Sequence, residues 1–421
     1  MSSTVRIAGA LPTPDADPSL SIVFAGGWSV GYDWAADHVV IAGAPVQPLF
    51  PSPFDRDLDG ALLGQQAFSD FEYVFQGGNY QRIKLVGLQP DGDPASTAEN
   101  WSLPSDWTAL DAVFPGGGVK SGFAYFFHGP DYMRFDWPAN AASADYPKPI
   151  GPNWHTSGAF THDLDGEITG LRAFGTKAYL FRTVTTRVNR DGRRTSSGGF
   201  VVNAPVYCRY DFNGEVVDNT VTDPVDVVGQ WNGLFPLLDA GPAIELGLDW
   251  IRAAESAAAA TPLAPATRTA FGHHFMTGSP DATVVNTVRS RLTQIHERLT
   301  DLPNQFKWTA DLGFPAVTAP GALTQIGDEF STFHGPNGRA AALIHEACHF
   351  RFDAGVDVPE WSDEVIDGVP QGPAVINGVT MPRYSTIPTT DALVNPSSYA
   401  AFAQETALGD DTRFGAARPQ L

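Results

Sequence analysis

Asp111-Ala112-Val113-Phe114, followed by Ala124-Tyr125-Phe126-Phe127-His128-Gly129-Pro130-Asp131-Tyr132-Met133-Arg134-Phe135-Asp136, is one copy of a motif that returns along the first half of the chain. Tyr125-Phe126-Phe127 matches Ile22-Val23-Phe24, Tyr73-Val74-Phe75 and Tyr179-Leu180-Phe181. The last Phe of each stands at 24, 75, 127 and 181, so it advances by 51, 52 and 54 residues. A fixed period near fifty marks a repeat architecture. Sixteen residues before each Phe stand Ala8, Asp59, Asp111 and Asp165, in similar surroundings: Ala8-Gly9-Ala10-Leu11, Asp59-Gly60-Ala61-Leu62, Asp111-Ala112-Val113-Phe114 and Asp165-Gly166-Glu167-Ile168. A third element, Tyr132-Met133-Arg134-Phe135-Asp136, matches Tyr207-Cys208-Arg209-Tyr210-Asp211, with Tyr80-Gln81-Arg82 as a weaker copy. In the fourth unit it arrives 21 residues late, after the polar stretch from Arg187 to Gly199, which reads as a hairpin loop insertion at the edge of the unit. Leu238-Asp239-Ala240 reads as a fifth start that would close the ring.

Four units of about fifty residues with short aromatic-rich strands predict a four-bladed β-propeller. The third unit, continued by Tyr146-Pro147-Lys148-Pro149-Ile150, resembles a hemopexin repeat, and the resemblance runs from about residue 5 to residue 243. It implies a propeller that binds proteins or other ligands on a face. It also implies an axial channel able to hold Ca²⁺ or another cation. Asp59, Asp111 and Asp165 then either line that channel or cap the inner strands. The 10 histidines show no ligand pair in this half, so no haem is expected.

From Ala243 the pattern is helical. Ile244 to Ala260 has strong helix propensity and is stopped by Pro262 and Pro265. Val284, Val288, Leu292, Ile295 and Leu299 repeat at helical spacing between Asp281 and Leu299. Short strands and turns follow from Phe306 to Phe333. A further helix then carries Arg339-Ala340-Ala341-Ala342-Leu343-Ile344-His345-Glu346-Ala347-Cys348-His349-Phe350. On a helix, His345 and His349 lie one above the other, so two imidazoles can grip one metal ion. Glu346 stands beside the open coordination position, where it can take a proton from water. Ionisable groups on an otherwise apolar helix need such a reason. Cys348 is either a small buried residue or a further thiolate donor.

Zinc requires a third protein ligand. The acids downstream are Asp353, Asp357, Glu360, Asp363, Glu364 and Asp367. Gly355 permits a sharp turn that would return a nearby acid to the metal. The segment from about Ile244 to Glu405 is similar to the aspzincin peptidases, the deuterolysin and lysine-specific metalloendopeptidase group. Ile326-Gly327-Asp328-Glu329-Phe330, the zinc helix itself, Gly355-Val356-Asp357 and Asn395-Pro396-Ser397-Ser398-Tyr399-Ala400-Ala401-Phe402-Ala403 carry that likeness. It implies Asp357 as third ligand, with Glu360 the alternative. The family's Gly-Thr-x-Asp-x-x-Tyr-Gly pattern is altered here: Gly355 is one residue too close, Thr is missing, and Glu360 stands where the Tyr belongs. The stabilising phenol would then come from Tyr384 or Tyr399, unless Tyr399 only anchors the last helix.

Composition agrees with a globular, turn-rich protein of more than one domain. The 421 residues are 43% hydrophobic and 17% charged, with 42 Gly and 34 Pro. A net charge of -21 disfavours nucleic acid as a partner. No apolar run would span a bilayer. No signal peptide is seen at the N-terminus, so the expected location is cytoplasmic, or outside the cell by export without a cleavable leader. The expectation is a multidomain protein: residues 1–243 an all-β four-bladed hemopexin-like propeller, residues 244–421 a mainly α (α+β) zincin-type metallopeptidase domain. Its function would be Zn²⁺-dependent endopeptidase action on a protein or peptide substrate, presented by the propeller. The competing expectation is a propeller binding module with an inactive peptidase-like domain.

Overall fold

The structure is a computed structural model describing residues 6–13, 17–47, 50, 52–86, 89–188, 193–197, 200–301, 306–312, 314–332, 335–352, 358, 365–366, 369–370, 375–376, 379–380 and 383–409. The chain divides into two compact units, Thr4–Leu238 and a second that runs from Asp239 onward. The layout is β followed by α+β.

The first unit holds four antiparallel sheets in chain order. The first contains β1 (Ile7–Thr13), β2 (Asp17–Ala25), β3 (Trp28–Asp33) and β4 (His38–Pro45). The second contains β5 (Gly60–Leu63), β6 (Phe71–Gln76) and β7 (Asn79–Lys84), with the short β8 (Gln89–Pro90) and β9 (Ala95–Ser96) and then helix α1 (Thr97–Trp101). The third contains β10 (Ala112–Pro115), β11 (Phe123–His128) and β12 (Asp131–Asp136), with β13 (Ala141–Ala142) and β14 (Lys148–Pro149), followed by α2 (Ile150–Trp154). The fourth contains β15 (Gly166–Thr169), β16 (Lys177–Val188), β17 (Phe200–Asp211) and β18 (Val216–Val221).

One register repeats through all four. Gly9 pairs Phe24, Gly60 pairs Phe75, Ala112 pairs Phe127 and Gly166 pairs Phe181. On the other side of the second strand, Tyr73 faces Arg82, Tyr125 faces Arg134 and Tyr179 faces Arg209. Part of the delay in the fourth unit is taken up by longer strands, since β16 and β17 have 12 residues each where β11 and β12 have 6. β16 and β17 pair continuously from Lys177↔Asp211 to Val188↔Phe200.

The first strands meet in a cycle: β1 with β5, β5 with β10, β10 with β15, and β15 with β1. Small residues at their starts permit the approach. A Cβ on Gly60 would sit 2.8 Å from Val113 Cβ, and one on Gly166 would collide with the Ile7 carbonyl. Between neighbouring sheets lie aromatic-rich cores. Phe24, Leu58 and Val74 join the first pair; Phe75, Trp101 and Phe126 the second; Phe127, Trp154 and Leu180 the third. Trp34 seals the fourth seam against Phe174 and Tyr179, with Trp231 beside it. Arg6, just ahead of β1, ties three of the first strands together. Its guanidinium donates to the carbonyls of Asp165 (2.7 Å), Leu110 (2.9 Å) and Asp111 (2.7 Å).

Leu238-Asp239-Ala240 is not a fifth strand start. It lies inside a 26-residue helix, α4 (Leu234–Ala259), preceded by α3 (Pro224–Gln230). Leu234, Leu237, Leu238 and Ile244 are all buried along that helix. β1 itself meets β15, so the contacts among first strands run through β1, β5, β10 and β15 without a further strand. Helix thus begins well ahead of Ala243. Pro265 does not merely stop a helix either: it occupies the first turn of α5 (Pro265–His274), where its missing N–H costs nothing.

The second unit continues with α6 (Ala282–Asp301), whose Val288, Leu292, Ile295 and Leu299 are fully buried at helical spacing. β19 (Phe306–Trp308) runs parallel to β21 (Thr324–Ile326), which also pairs antiparallel with β20 (Ala316–Val317). α7 (Glu329–Thr332) leads into α8 (Pro336–Arg351), the helix of His345 and His349. After it come α9 (Thr389–Ala392) and α10 (Pro396–Leu408). α8 packs between α6 and α10, and α10 also packs on α5. A buried ion pair fixes the start of α8: Arg339 meets Asp239 at 2.9 Å, and Arg339 Nε donates to the Phe330 carbonyl at 3.0 Å. Asp239 also accepts the Ser331 hydroxyl.

Candidate metal centre

Gly335 and Pro336 start α8, with Pro336 in the first turn. Ala340, Ala341, Leu343 and Ile344 are fully buried, so the helix is held on most of its circumference. His345 and His349 are half-buried. Their Nε2 atoms converge to 3.0 Å, and their ring centroids stand 4.9 Å apart. A tetrahedral zinc ion with Zn–N bonds of about 2.0–2.1 Å sets two ligand nitrogens about 3.3 Å apart. The observed spacing needs only a small outward movement to match. The other nitrogen of His345, Nδ1, lies 3.3 Å from Ser397 Oγ on α10. With Ser397 Oγ accepting the hydrogen of Nδ1, the lone pair of Nε2 is left for a metal, the arrangement usual in metal-bound histidines. The donor set therefore fits zinc. Glu346, next to His345, is 6% exposed.

Asp357 and Glu360, with Asp353, Asp363, Glu364 and Asp367, lie outside the described residues. Val358 is described and fully buried. The side chain of Asn395 clasps both of its peptide groups. Val358 N–H donates to Asn395 Oδ1 at 3.1 Å, and Asn395 Nδ2 donates to the Val358 carbonyl at 3.0 Å and to Ser398 Oγ at 3.1 Å. The residue following Asp357 is thus tied to the start of α10. Ser397 and Asn395 were quoted above only as part of a family likeness. Their contacts join residues far apart in sequence, and no local spacing announces them.

The two candidate phenols are both engaged. Tyr384 is fully buried, with its hydroxyl 3.0 Å from His274 Nδ1. The Tyr399 hydroxyl donates to the Leu393 carbonyl at 2.8 Å, and its ring packs on Phe275 and Phe352. Burial pushes the Tyr399 hydroxyl well above its ordinary pKa. Cys348 is buried, with Sγ 3.3 Å from the Ile344 carbonyl one turn back.

In the β unit, Asp59, Asp111 and Asp165 share one arrangement. Each carboxylate accepts the amide two residues past the Phe that its strand pairs with: Gly77 at 2.7 Å, Gly129 at 2.6 Å, and Thr183. Burial pushes the Asp59 and Asp111 carboxyls up, while those amides and Arg6 pull the other way. The carbonyls of Asp111 and Asp165 accept from Arg6. Each of these carboxylates thus caps the turn after the second strand of its sheet, and the Arg6 guanidinium lies against the backbone just ahead of β10 and β15.

No protein-family model matches the chain, and no curated protein matches it. Among solved structures, the chain is similar to the hemopexin-fold protein CP4 from cow pea, at 18% identity, covering 54% of this chain and 96% of that one, with a TM-score of 0.40. It is similar to LS24, a seed albumin from Lathyrus sativus, at 16% identity, covering 55% and 97%, with a TM-score of 0.40. It is also similar to a zinc peptidase from Grifola frondosa, at 16% identity, covering 40% and 93%, with a TM-score of 0.29.

Proposed function

We propose that the chain is a zinc-dependent metalloendopeptidase of aspzincin type, joined to a four-bladed hemopexin-like propeller that binds its protein substrate or a partner. The observation that carries the reading is the convergence of His345 Nε2 and His349 Nε2 to 3.0 Å on a packed helix, with Ser397 behind His345 and Glu346 beside it. His345, His349 and Asp357 are the proposed ligands. The ion would supply Lewis-acid polarisation of the scissile carbonyl and a more acidic water.

The remaining work falls to the chain. Glu346 takes the proton of the attacking water and passes it to the leaving amine. Ser397 keeps the His345 ring turned so that Nε2 faces the site. For the β unit, support comes from the repeated register and the cycle of contacts among first strands, as a propeller would have.

The test is digestion of casein or an unfolded protein by the full chain, with and without chelator, beside Glu346→Gln. Hydrolysis should need the metal and vanish in Glu346→Gln while zinc stays bound. Activity that survives the chelator, or survives in Glu346→Gln, overturns the reading. A wild-type chain that binds zinc and cleaves nothing would instead favour the propeller as the working part.

A further inference from the structure

α5 ends on two adjacent histidines. Neighbouring residues on a helix point about 100° apart, so side chains at such positions rarely share a partner. Here they do, at the last two residues of α5, which ends at His274. Both meet Glu405 on α10. His274 Nε2 lies 2.6 Å from Glu405 Oε2, and His273 Nδ1 lies 3.1 Å from each carboxylate oxygen. The three ligand atoms lie within 4.8 Å of one another. Tyr384 holds the back of the His274 ring through Nδ1 at 3.0 Å. The His274 and Glu405 side chains are 1% and 11% exposed, while that of His273 is 41% exposed and leaves a way in from solvent. Glu405 follows Ser397 by eight residues, so it stands about 12 Å further along α10. The cluster is therefore separate from the His345 and His349 pair.

The geometry points to a second metal site, in which His273 Nδ1, His274 Nε2 and a Glu405 oxygen hold a divalent ion of the zinc class. Two imidazoles and one carboxylate suit zinc, cobalt or nickel, whereas calcium and magnesium want oxygen throughout. Tyr384 completes the pattern, since ligating histidines usually bond a polar group through the second ring nitrogen. On binding, His274 Nε2 and His273 Nδ1 each give up the hydrogen that faces Glu405: His274 keeps its ring hydrogen on Nδ1, toward the Tyr384 oxygen, His273 keeps its own on Nε2, and any hydrogen beyond one per ring leaves to solvent as the ion enters. The ion would clamp α5 to α10, the helix that presents Ser397 to His345. Its role is to stiffen that frame; the reaction itself is not assigned to it.

The experiment uses the full chain, stripped with chelator, dialysed, and titrated with Zn²⁺ and with Co²⁺. The double variant His345→Ala/His349→Ala removes the first site. It should still bind one equivalent of zinc, give a cobalt spectrum with nitrogen-ligand bands, and melt higher with zinc than without. Adding His273→Ala, an exposed position that the fold tolerates, or Glu405→Gln should weaken that zinc by about tenfold or more and abolish the melting shift. The inference is overturned if the double variant binds no zinc, or if its zinc is indifferent to both further substitutions. Failure of the first site reads differently: wild type and double variant would then bind zinc equally.

Discussion

Asn395→Ala removes three hydrogen bonds and leaves the backbone of α10 able to form. The side chain is fully buried, and so is Val358, whose N–H and carbonyl it satisfies at 3.1 Å and 3.0 Å. Each main-chain group stranded inside costs about 1–3 kcal/mol, so the pair costs about 2–6 kcal/mol. A unit of this size loses about 2–4 °C of melting temperature per kcal/mol, which places the drop at about 4–24 °C. Calorimetry of the full chain measures it on the transition of the α+β unit. The second consequence concerns metal. Asp357, the proposed third ligand, immediately precedes Val358, so releasing Val358 should loosen zinc by about 10–100-fold, as loss of outer-shell support generally does. Competition with a chromophoric chelator, read well below the melting range, separates this from global unfolding. Asn395→Asp, which keeps the acceptor for Val358 N–H, should fall between wild type and Ala in both readings. If Asn395→Ala melts like wild type, the two bonds are not holding the segment. If melting falls and low-temperature zinc affinity is unchanged, Asn395 is a packing residue and the link from Val358 to the metal is wrong.

Asp357→Ala should strip zinc on dialysis, while Glu360→Ala should slow hydrolysis and keep it; metal analysis of the two decides between them, and a metal-free Glu360→Ala would make Glu360 the ligand. Glu72 is buried in β6, and burial raises its carboxyl from 4.5 to about 7. A raised acid is content when neutral, so its contribution is complete below pH 4.5 and is lost as pH climbs through about 7, a change of about 3 kcal/mol. The β unit should therefore be more stable at acid than at neutral pH as far as this group goes, and denaturant titrations of Glu72→Gln should show a flatter profile; an unchanged pH profile refutes the assignment. Arg6→Ala should lower the melting temperature of the β unit, and wild type should be indifferent to added Ca²⁺ because the carbonyls of Asp111 and Asp165 already accept from Arg6; a calcium-induced rise in the wild-type chain would show that a cation still enters there.

What could be read in advance depended on how local the physics was. The repeat was legible because pairing register converts directly into spacing. Each Phe pairs with a small residue fifteen positions earlier in all four sheets, and the Asp before that residue recurs because its carboxylate must reach the amide two residues past the Phe. Asp239 imitates this pattern in sequence. Its carboxylate is spoken for by Arg339, one hundred residues away in sequence, and no repeat alignment could separate the two uses. The same division runs through the site. His345, Glu346 and His349 declare themselves because four residues along a helix is a fixed distance in space. Ser397 and Asn395 act across helix contacts, and so do His273 and His274 with Glu405. The chemistry of such pairs is invisible until α5, α8 and α10 are packed. The sequence signals they do leave are a helix start at Asn395-Pro396-Ser397 and two adjacent histidines at a helix end. Each becomes informative only when asked which helix it will face. For a metal centre on one helix, then, the ligands on that helix are the legible part, and the groups that aim them are a property of the packing around it.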